Sequence, residues 1–279
     1  MTAPEFQDHE LTTTDGLTVY YRHRRGDGKH PAVILLHGLT GNRTAWEEFE
    51  VYFSGHGYPT FAMDLRGHGR SSKTLTSEQF SIPAFAADVR LLCEQHKLTN
   101  SIIVGHCYGG LVTLQAEHDS PKLFAKIVLV SPFYRNRKAH NSPVRTLLNI
   151  GAEVACRVPF IVPKVRRHFR YPQYWKLKNK TCPVFLYNDL LSNPLSLYQQ
   201  GIKSASQVNA LGLAGQIQKP VQVFSGTHDS FVPHTYSRLI ADTIAHSRFE
   251  AYEGGDHIIN IRYPERMCDS ILHFIEETA

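Results

Sequence analysis

The amino-acid sequence predicts an α/β protein: a mostly parallel, doubly wound sheet with helices on both faces and an inserted lid. Three observations carry this prediction. Short apolar runs alternate with helix-periodic stretches in residues 1–132 and again in 217–279. Several of the runs are continuously apolar, which is typical of strands buried on both faces of a parallel sheet. Residues 133–216 lose the alternation, so we expect them to form a lid inserted into one domain.

The individual elements follow from these patterns. Asp15-Gly16 is a typical hairpin turn and separates the first two predicted strands. The strands are expected at 10–13, 17–21, 32–36, 60–63, 101–104, 126–130, 221–224 and 248–252. The helices are expected at 44–53, 82–96, 108–118, 234–246 and 263–277. Strands that alternate with helices are joined by right-handed crossovers, which makes the sheet parallel.

Composition excludes several classes of protein. The chain is 42% hydrophobic and 20% charged, which is ordinary for a globular protein. It opens without a basic stretch followed by an apolar run, and its apolar runs are too short to cross a bilayer, so we expect a cytoplasmic protein. Its five cysteines are widely spaced and include no C-x-x-C pair. This argues against a disulfide framework or a zinc site.

Positive charge is concentrated in the predicted lid. Residues 134–180 contain twelve Lys and Arg against one acid, which is +11 in a chain whose net charge is +5. Such a local bias indicates an interaction surface for coenzyme A, an acidic acyl carrier protein or an anionic membrane, and not general nucleic-acid binding. The lid residues expected to bind substrate are Trp175, Arg166, Arg167 and Arg170. A merely solvated basic face is the open alternative.

The most informative motif is residues 105–109, Gly-His-Cys-Tyr-Gly, which lies between a predicted strand and a predicted helix. A nucleophile presented on so tight a strand-to-helix turn needs almost no side chain two positions before and after it, as Gly105 and Gly109 provide. The motif usually carries serine at the central position, where this chain has Cys107. A cysteine before a helix is by itself more often part of the core, so its assignment as the nucleophile depends on its partners.

Two further residues complete a candidate catalytic triad. Asp229 follows the strand at 221–224, and His257 follows the last strand on a glycine-rich loop. Nucleophile, acid and histidine in this chain order are typical of acyl-transfer sites on a doubly wound sheet. Asp64 and Asp256 are the weaker candidates for the acid. An aspartate in a turn is commonly a cap and a histidine commonly structural, but the joint match in type, order and position favours catalysis.

An oxyanion hole is expected beside the nucleophile. His37-Gly38 forms a turn after the strand at 32–36, and the backbone N–H groups of Leu39 and Tyr108 are the expected donors. Tyr108 also begins a helix, where the helix dipole favours negative charge. The sequence contains no feature that calls for a metal or an organic cofactor.

These motifs together resemble the α/β-hydrolase superfamily, and within it the branch of monoacylglycerol lipases and serine aminopeptidases. The resemblance rests on His37-Gly38, the polar glycine-rich run at 64–72, the elbow at 105–109, and the surroundings of Asp229 and His257. It covers residues 10–132 and 218–277 and implies a hydrolase that needs no cofactor. This chain departs from the superfamily pattern in having Cys107 where serine is usual. In this respect it resembles dienelactone hydrolases and polyhydroxyalkanoate synthases.

The chemistry of a thiol narrows the expected function. We expect an acyl hydrolase or acyltransferase that forms a thioester acyl-enzyme on Cys107 from an ester or thioester of a hydrophobic acyl group. Two alternatives stay open: a plain carboxylesterase or lipase whose serine was replaced by cysteine, and a catalytically silent ligand-binding protein. Dehalogenase and epoxide-hydrolase chemistry are disfavoured, since both need a carboxylate at the elbow.

Overall fold

A computed structural model describes residues 6–73, 75–134 and 195–277. The strands are β1 (Gln7–Thr12), β2 (Thr18–Arg24), β3 (Val33–Leu36), β4 (Thr60–Met63), β5 (Ser101–His106), β6 (Phe124–Val130), β7 (Val221–Gly226) and β8 (Ser247–Tyr252). The helices are α1 (Glu47–Gly55), α2 (Ile82–His96), α3 (Tyr108–Asp119), α4 (Leu195–Ser206), α5 (Ala210–Ala214), α6 (His234–Thr243), α7 (Ile259–Arg262) and α8 (Pro264–Glu276). A 3-10 turn at Arg43–Trp46 leads into α1.

The strands form one sheet in the order β1-β2-β4-β3-β5-β6-β7-β8. The first two strands are a hairpin, and β2 also runs antiparallel to β4. All the remaining neighbours are parallel, from the pair of β3 and β4 to that of β7 and β8. The parallel strands therefore place their carboxyl ends along one edge of the sheet.

Each face of the sheet is covered by its own hydrophobic cluster. Along β3, Ile34 and Leu36 point into one cluster and Val33 and Leu35 into the other, so every residue of the strand is buried. The first cluster includes α2, α3, α5 and α6, and the second includes α1 and α8. This two-sided burial is the reason for the continuously apolar strands in the sequence.

The predicted elements within the described residues are found with small shifts at their ends. The predictions for β4 and α2 match the structure at both ends, and α6 ends three residues earlier than predicted. Residues 195–214 of the predicted lid form helices α4 and α5. Leu197 of α4 and Ala214 of α5 belong to the same buried cluster as the sheet residues.

Candidate active site

The carboxyl edge of the parallel sheet brings the three predicted catalytic residues together. Cys107 follows β5, Asp229 lies three residues after β7, and His257 lies five residues after β8. Cys107 and His257 line one cavity. Asp229 lies behind His257 and hydrogen-bonds its ring. In parallel strands the loops at the carboxyl ends converge, which is the usual place for a ligand site in open α/β sheets.

The turn at Cys107 has the strained geometry expected of a nucleophile elbow. Cys107 has φ of 50° and ψ of −110°, a conformation that L-residues seldom adopt. A Cβ on Gly105 would lie 2.4 Å from the Thr113 hydroxyl, and a Cβ on Gly109 would lie 2.5 Å from the Leu36 carbonyl oxygen. Both glycines are therefore required by the close approach of β5, α3 and β3. The side chain of Cys107 remains 8% exposed, at the floor of the cavity.

Asp229 and His257 form a hydrogen-bonded pair in which the carboxylate is buried and the imidazole is partly exposed. The Nδ1–H group of His257 donates to Oδ2 of Asp229 over 2.8 Å. The other carboxylate oxygen accepts the backbone N–H groups of Phe231 and Val232 at 2.9 and 2.8 Å. Burial by itself would raise the pKa of Asp229, but the bond and charge of His257 and the two N–H groups lower it below its ordinary value. Asp229 is therefore a carboxylate at neutral pH.

The surroundings of His257 favour the protonated form of its imidazole. Burial would lower the pKa of His257, but the attraction of the Cys107 sulfur and the hydrogen bonds to Asp229 and Cys107 outweigh it and raise the pKa well above its ordinary value. An imidazolium between a carboxylate and a sulfur is the arrangement that stabilises a thiolate. The site is consequently suited to nucleophilic attack by sulfur.

The turn after β3 is fixed by a neutral histidine. Nδ1–H of His37 donates to the carbonyl of Gly38 at 2.7 Å, while its Nε2 accepts the N–H of Leu65 at 3.0 Å. Burial lowers the pKa of His37 to about 4, so the ring stays neutral and can accept this bond. The turn places Leu39 on the cavity wall, next to Cys107 and Tyr108. Tyr108 is the first residue of α3, and a helix leaves its first N–H groups without partners inside the helix.

His106 connects two parts of the site. Its Nε2–H donates to the backbone carbonyl of His257 at 3.0 Å, and its Nδ1 would lie 3.0 Å from a Cβ placed on Gly38. Burial and the neighbouring His257 lower the pKa of His106 to about 3, so it carries no charge. His106 thus packs the loop that carries His257 against the turn at Gly38, and a side chain at position 38 would press on its ring.

The cavity has a volume of about 250 Å³ and an apolar lining. Among the described residues around it none is Asp, Glu, Lys or Arg. The apolar side chains include Leu39, Phe133, Ile202, Phe231 and Ile258. Phe231 and Tyr198 are 44% and 39% exposed and lie at the rim. The sequence analysis did not single out Ile202 or Phe231, although Leu197, Gly201 and Ala205 recur every four residues and indicate the helix that carries Ile202.

The weaker candidates for the acid have structural roles. Asp64 is buried and accepts the backbone N–H groups of Arg43 and Arg70 at 2.7 and 2.9 Å, besides pairing with the Arg43 guanidinium. Asp256 pairs with Arg262 at 3.1 Å and caps the N–H of Ile258. Neither carboxylate has a hydrogen bond to His257. Asp64 therefore stabilises the loop that begins the glycine-rich run at 64–72.

Several predicted features lie outside the described residues. These are Trp175, Arg166, Arg167 and Arg170 and the basic stretch that contains them. Within residues 6–73, 75–134 and 195–277, no cluster of three or more His, Cys, Asp or Glu has the geometry of a metal site. In the same part of the chain, every helix is too short or too polar to cross a bilayer.

Comparison with known proteins agrees with this architecture. A family model described as the alpha/beta hydrolase fold matches residues 31–153. The non-heme chloroperoxidase of Streptomyces lividans is 25% identical over 277 residues, which cover 95% of this chain and 99% of that protein.

Two solved structures are also similar. An esterase from Exiguobacterium antarcticum superposes with a TM-score of 0.77 and 18% identity, covering 96% of this chain and 99% of that one. A bromoperoxidase from Bacillus anthracis superposes with a TM-score of 0.76 and 19% identity, covering 97% and 100%. With its sheet order, its elbow and these similarities, the protein has the α/β-hydrolase fold, which it shares with esterases and other hydrolases.

Proposed function

We propose that the protein is an acyl hydrolase or acyltransferase that works through Cys107, His257 and Asp229. The observation that carries the proposal is the position of Cys107. It lies in a strained elbow at the floor of an apolar cavity, beside an imidazolium that is hydrogen-bonded to a buried carboxylate. A protein that only binds a ligand has no chemical need for this arrangement, which supports an enzyme over a silent binding protein.

In the proposed first half-reaction, the Cys107 thiolate attacks the acyl carbonyl carbon and the carbonyl electron pair moves onto oxygen. The N–H groups of Leu39 and Tyr108 stabilise this oxyanion. Collapse of the intermediate expels an alkoxide or thiolate, which takes the proton from His257. The products of this half-reaction are a thioester on Cys107, a neutral His257 and the free alcohol or thiol.

In the second half-reaction, neutral His257 removes a proton from water or from another acceptor, which attacks the thioester. The tetrahedral intermediate then expels the Cys107 thiolate, which is again paired with the imidazolium formed by that proton transfer. Asp229 keeps the ring oriented and stabilises its charge in both halves. The reaction consumes no external cofactor.

The lining of the cavity favours a substrate with an uncharged, hydrophobic acyl group. No acidic or basic side chain other than imidazole lines it among the described residues, and the two histidines beside the turn, His37 and His106, are neutral. A charged acyl group would lose its hydration among these apolar side chains, and the only charged side chain in the described lining, His257, already pairs with Asp229. The leaving group is proposed to be a thiol, because exchange of one thioester for another is nearly balanced in energy. The basic stretch at 134–180 would suit the anionic tail of coenzyme A or an acidic carrier protein.

Similarity to two haloperoxidases raises a second candidate, a peroxide-dependent activity. A thiolate is itself oxidised by peroxide to sulfenic and higher acids. A thiolate stabilised beside an imidazolium would therefore be consumed by that co-substrate. This observation favours acyl transfer.

The experiment that tests the proposal uses wild type, Cys107→Ser and Cys107→Ala. Each is incubated with p-nitrophenyl esters of increasing chain length and with the matching acyl-coenzyme A thioesters, and adducts are detected by intact mass. We expect wild type alone to gain one acyl mass, located on Cys107, with release of nitrophenol or coenzyme A. Absence of any adduct or turnover in wild type contradicts the proposal. A higher esterase turnover in Cys107→Ser than in wild type would favour a serine enzyme that carries a replacement.

A further inference from the structure

Helix α4 contacts both residues assigned to the oxyanion hole. On one side, the phenol hydroxyl of Tyr108 and the hydroxyl of Ser204 form a buried hydrogen bond of 2.5 Å. On the other side, the methyl groups of Leu39 lie against the backbone of Gly201, one turn earlier on the same helix. Residues 201–204 therefore touch the two donor residues from a single helical turn, although Leu39 lies in the turn after β3 and Tyr108 at the start of α3.

Glycine at position 201 does not favour the helix in which it lies. Glycine in a helix interior costs about 1 kcal/mol relative to alanine. A Cβ at this position would lie 2.3 Å from Cδ1 and 3.1 Å from Cγ of Leu39. A side chain at position 201 would therefore make the Leu39 side chain shift from its present position.

Ser204 is also placed for a specific contact. It is 5% exposed and is one turn of helix away from Gly201, whose carbonyl oxygen lies 3.5 Å from its hydroxyl. Tyr108 is 1% exposed, and its ring packs against Phe85 and Phe80. The hydroxyl of Tyr108 would lack a partner in these apolar surroundings without Ser204, since an unpaired buried hydroxyl is costly.

We infer that the Gly201–Ser204 turn of α4 positions the oxyanion hole: Ser204 holds Tyr108 through its hydroxyl, and Gly201 admits Leu39. Ser204 and Gly201 are positioning residues, because they contact the donor residues and not the reacting atoms. The inference rests on the proposed function, since it takes the N–H groups of Leu39 and Tyr108 as the donors. It adds that a helix from the predicted lid region sets the geometry of transition-state stabilisation.

Comparing two reactions of Cys107 distinguishes a misplaced oxyanion hole from a general loss of structure at the site. Acylation by a p-nitrophenyl ester passes through an oxyanion, whereas alkylation by iodoacetamide displaces iodide from carbon and forms none. A misplaced oxyanion hole slows acylation and leaves alkylation unchanged. A loosened fold or a perturbed thiolate changes both reactions.

We expect Ser204→Ala to lower the acylation rate about tenfold, which is less than the hundredfold or greater effect of losing a donor outright. Tyr108→Phe, which removes the hydroxyl and keeps the backbone N–H, is expected to cause a similar decrease. Because both changes break the same hydrogen bond, the double variant is expected to lose no more than either single one. The alkylation rate stays at the wild-type value in all three.

Gly201→Ala tests the contact with Leu39. Alanine favours the helix, so the free energy of unfolding is expected to stay level or rise, while acylation falls and KM for long acyl esters increases as Leu39 turns into the cavity. Ser206→Ala is the matched control, because Ser206 bonds a carbonyl three residues back as Ser204 does, while Ser204 is the residue that bonds the Tyr108 hydroxyl. It is expected to behave as wild type.

The outcomes distinguish the two proposals. If wild type is not acylated at all, the proposed function fails. If wild type is acylated and Ser204→Ala, Tyr108→Phe and Gly201→Ala match its rate, the positioning role is wrong while the proposed function stands. Equal losses of acylation and alkylation also overturn the positioning role.

Discussion

Replacing Asp229 by asparagine tests whether the carboxylate charge supports a thiolate–imidazolium pair. The amide oxygen can still accept the N–H groups of Phe231 and Val232, which lie 2.9 and 2.8 Å from Oδ1, so the loop is expected to keep its shape. The amide NH₂ group then faces Nδ1 of His257, where the carboxylate accepted a hydrogen bond of 2.8 Å. Since Nδ1 of an imidazolium carries a proton, a charge-assisted bond becomes a contact between two donors.

The expected loss follows from the strength of that bond. A hydrogen bond to a charged group contributes about 1.5–3 kcal/mol. This corresponds to a decrease in the acylation rate of about 10- to 150-fold. In serine triads the same Asp-to-Asn change costs about ten-thousandfold, and cysteine proteases use an asparagine as the third residue. A smaller loss is expected here because, in the proposed mechanism, the histidine need not remove a proton from Cys107 during attack.

The assay is single-turnover acylation by a p-nitrophenyl ester, followed as nitrophenol release over a series of pH values. The imidazolium is present below the pKa of His257 and is lost as pH rises through it. Because Asp229 contributes to raising that pKa, its replacement is expected to move the alkaline limb of the profile to lower pH. Asp256→Asn is the matched control, since this neighbouring carboxylate pairs with Arg262, and it is expected to retain the wild-type profile.

Two results would refute this reasoning. An unchanged rate and profile in Asp229→Asn would show that the Asp229–His257 bond has no part in acylation. A loss near ten-thousandfold would show that the histidine acts as a general base on a neutral thiol, as it does in serine triads.

Three further predictions concern the fold and the thiol. Gly109→Ala places a Cβ 2.5 Å from the carbonyl oxygen of Leu36, the last residue of β3, and is expected to lower the free energy of unfolding in a urea titration by about 3 kcal/mol or more. The control is Gly55→Ala, which has open space around it and should leave the free energy of unfolding unchanged or raise it. Burial lowers the pKa of His23 from 6.5 to about 4, with smaller contributions from neighbouring cations. The unfolded state therefore binds more protons than the folded state, and the free energy of unfolding falls as pH decreases through that range. His23→Gln should reduce the pH dependence of the midpoint of urea unfolding, and an unaltered dependence would contradict this prediction. Iodoacetamide at mildly acidic pH is expected to label Cys107 well before Cys93, because burial raises the pKa of Cys93 to about 12. Equal labelling of the two cysteines, measured by peptide mapping, would contradict the proposed pair of a Cys107 thiolate with the His257 imidazolium.

The part of the site that could be predicted depended on short-range rules. The elbow is readable because the strain of its turn restricts positions 105 and 109 to glycine, and both positions lie within two residues of Cys107. The predictions for central strands such as β3, β5 and β7 succeeded because burial on both faces favours mostly apolar runs. Helix α4 was missed because the loss of strand alternation in residues 133–216 obscured the four-residue spacing of Leu197, Gly201 and Ala205.

The α/β architecture, the alternation of strands and helices outside residues 133–216, and the three candidate catalytic residues could all be predicted from the sequence. The bond of Asp229, and not of the adjacent Asp256, to His257 is visible only in the folded protein. The same is true of the hydrogen bonds that hold His37 and His106, and of the contact between α4 and Leu39. The physical reason is that these contacts join residues far apart in the chain, through loops whose direction depends on the packing of the whole sheet edge.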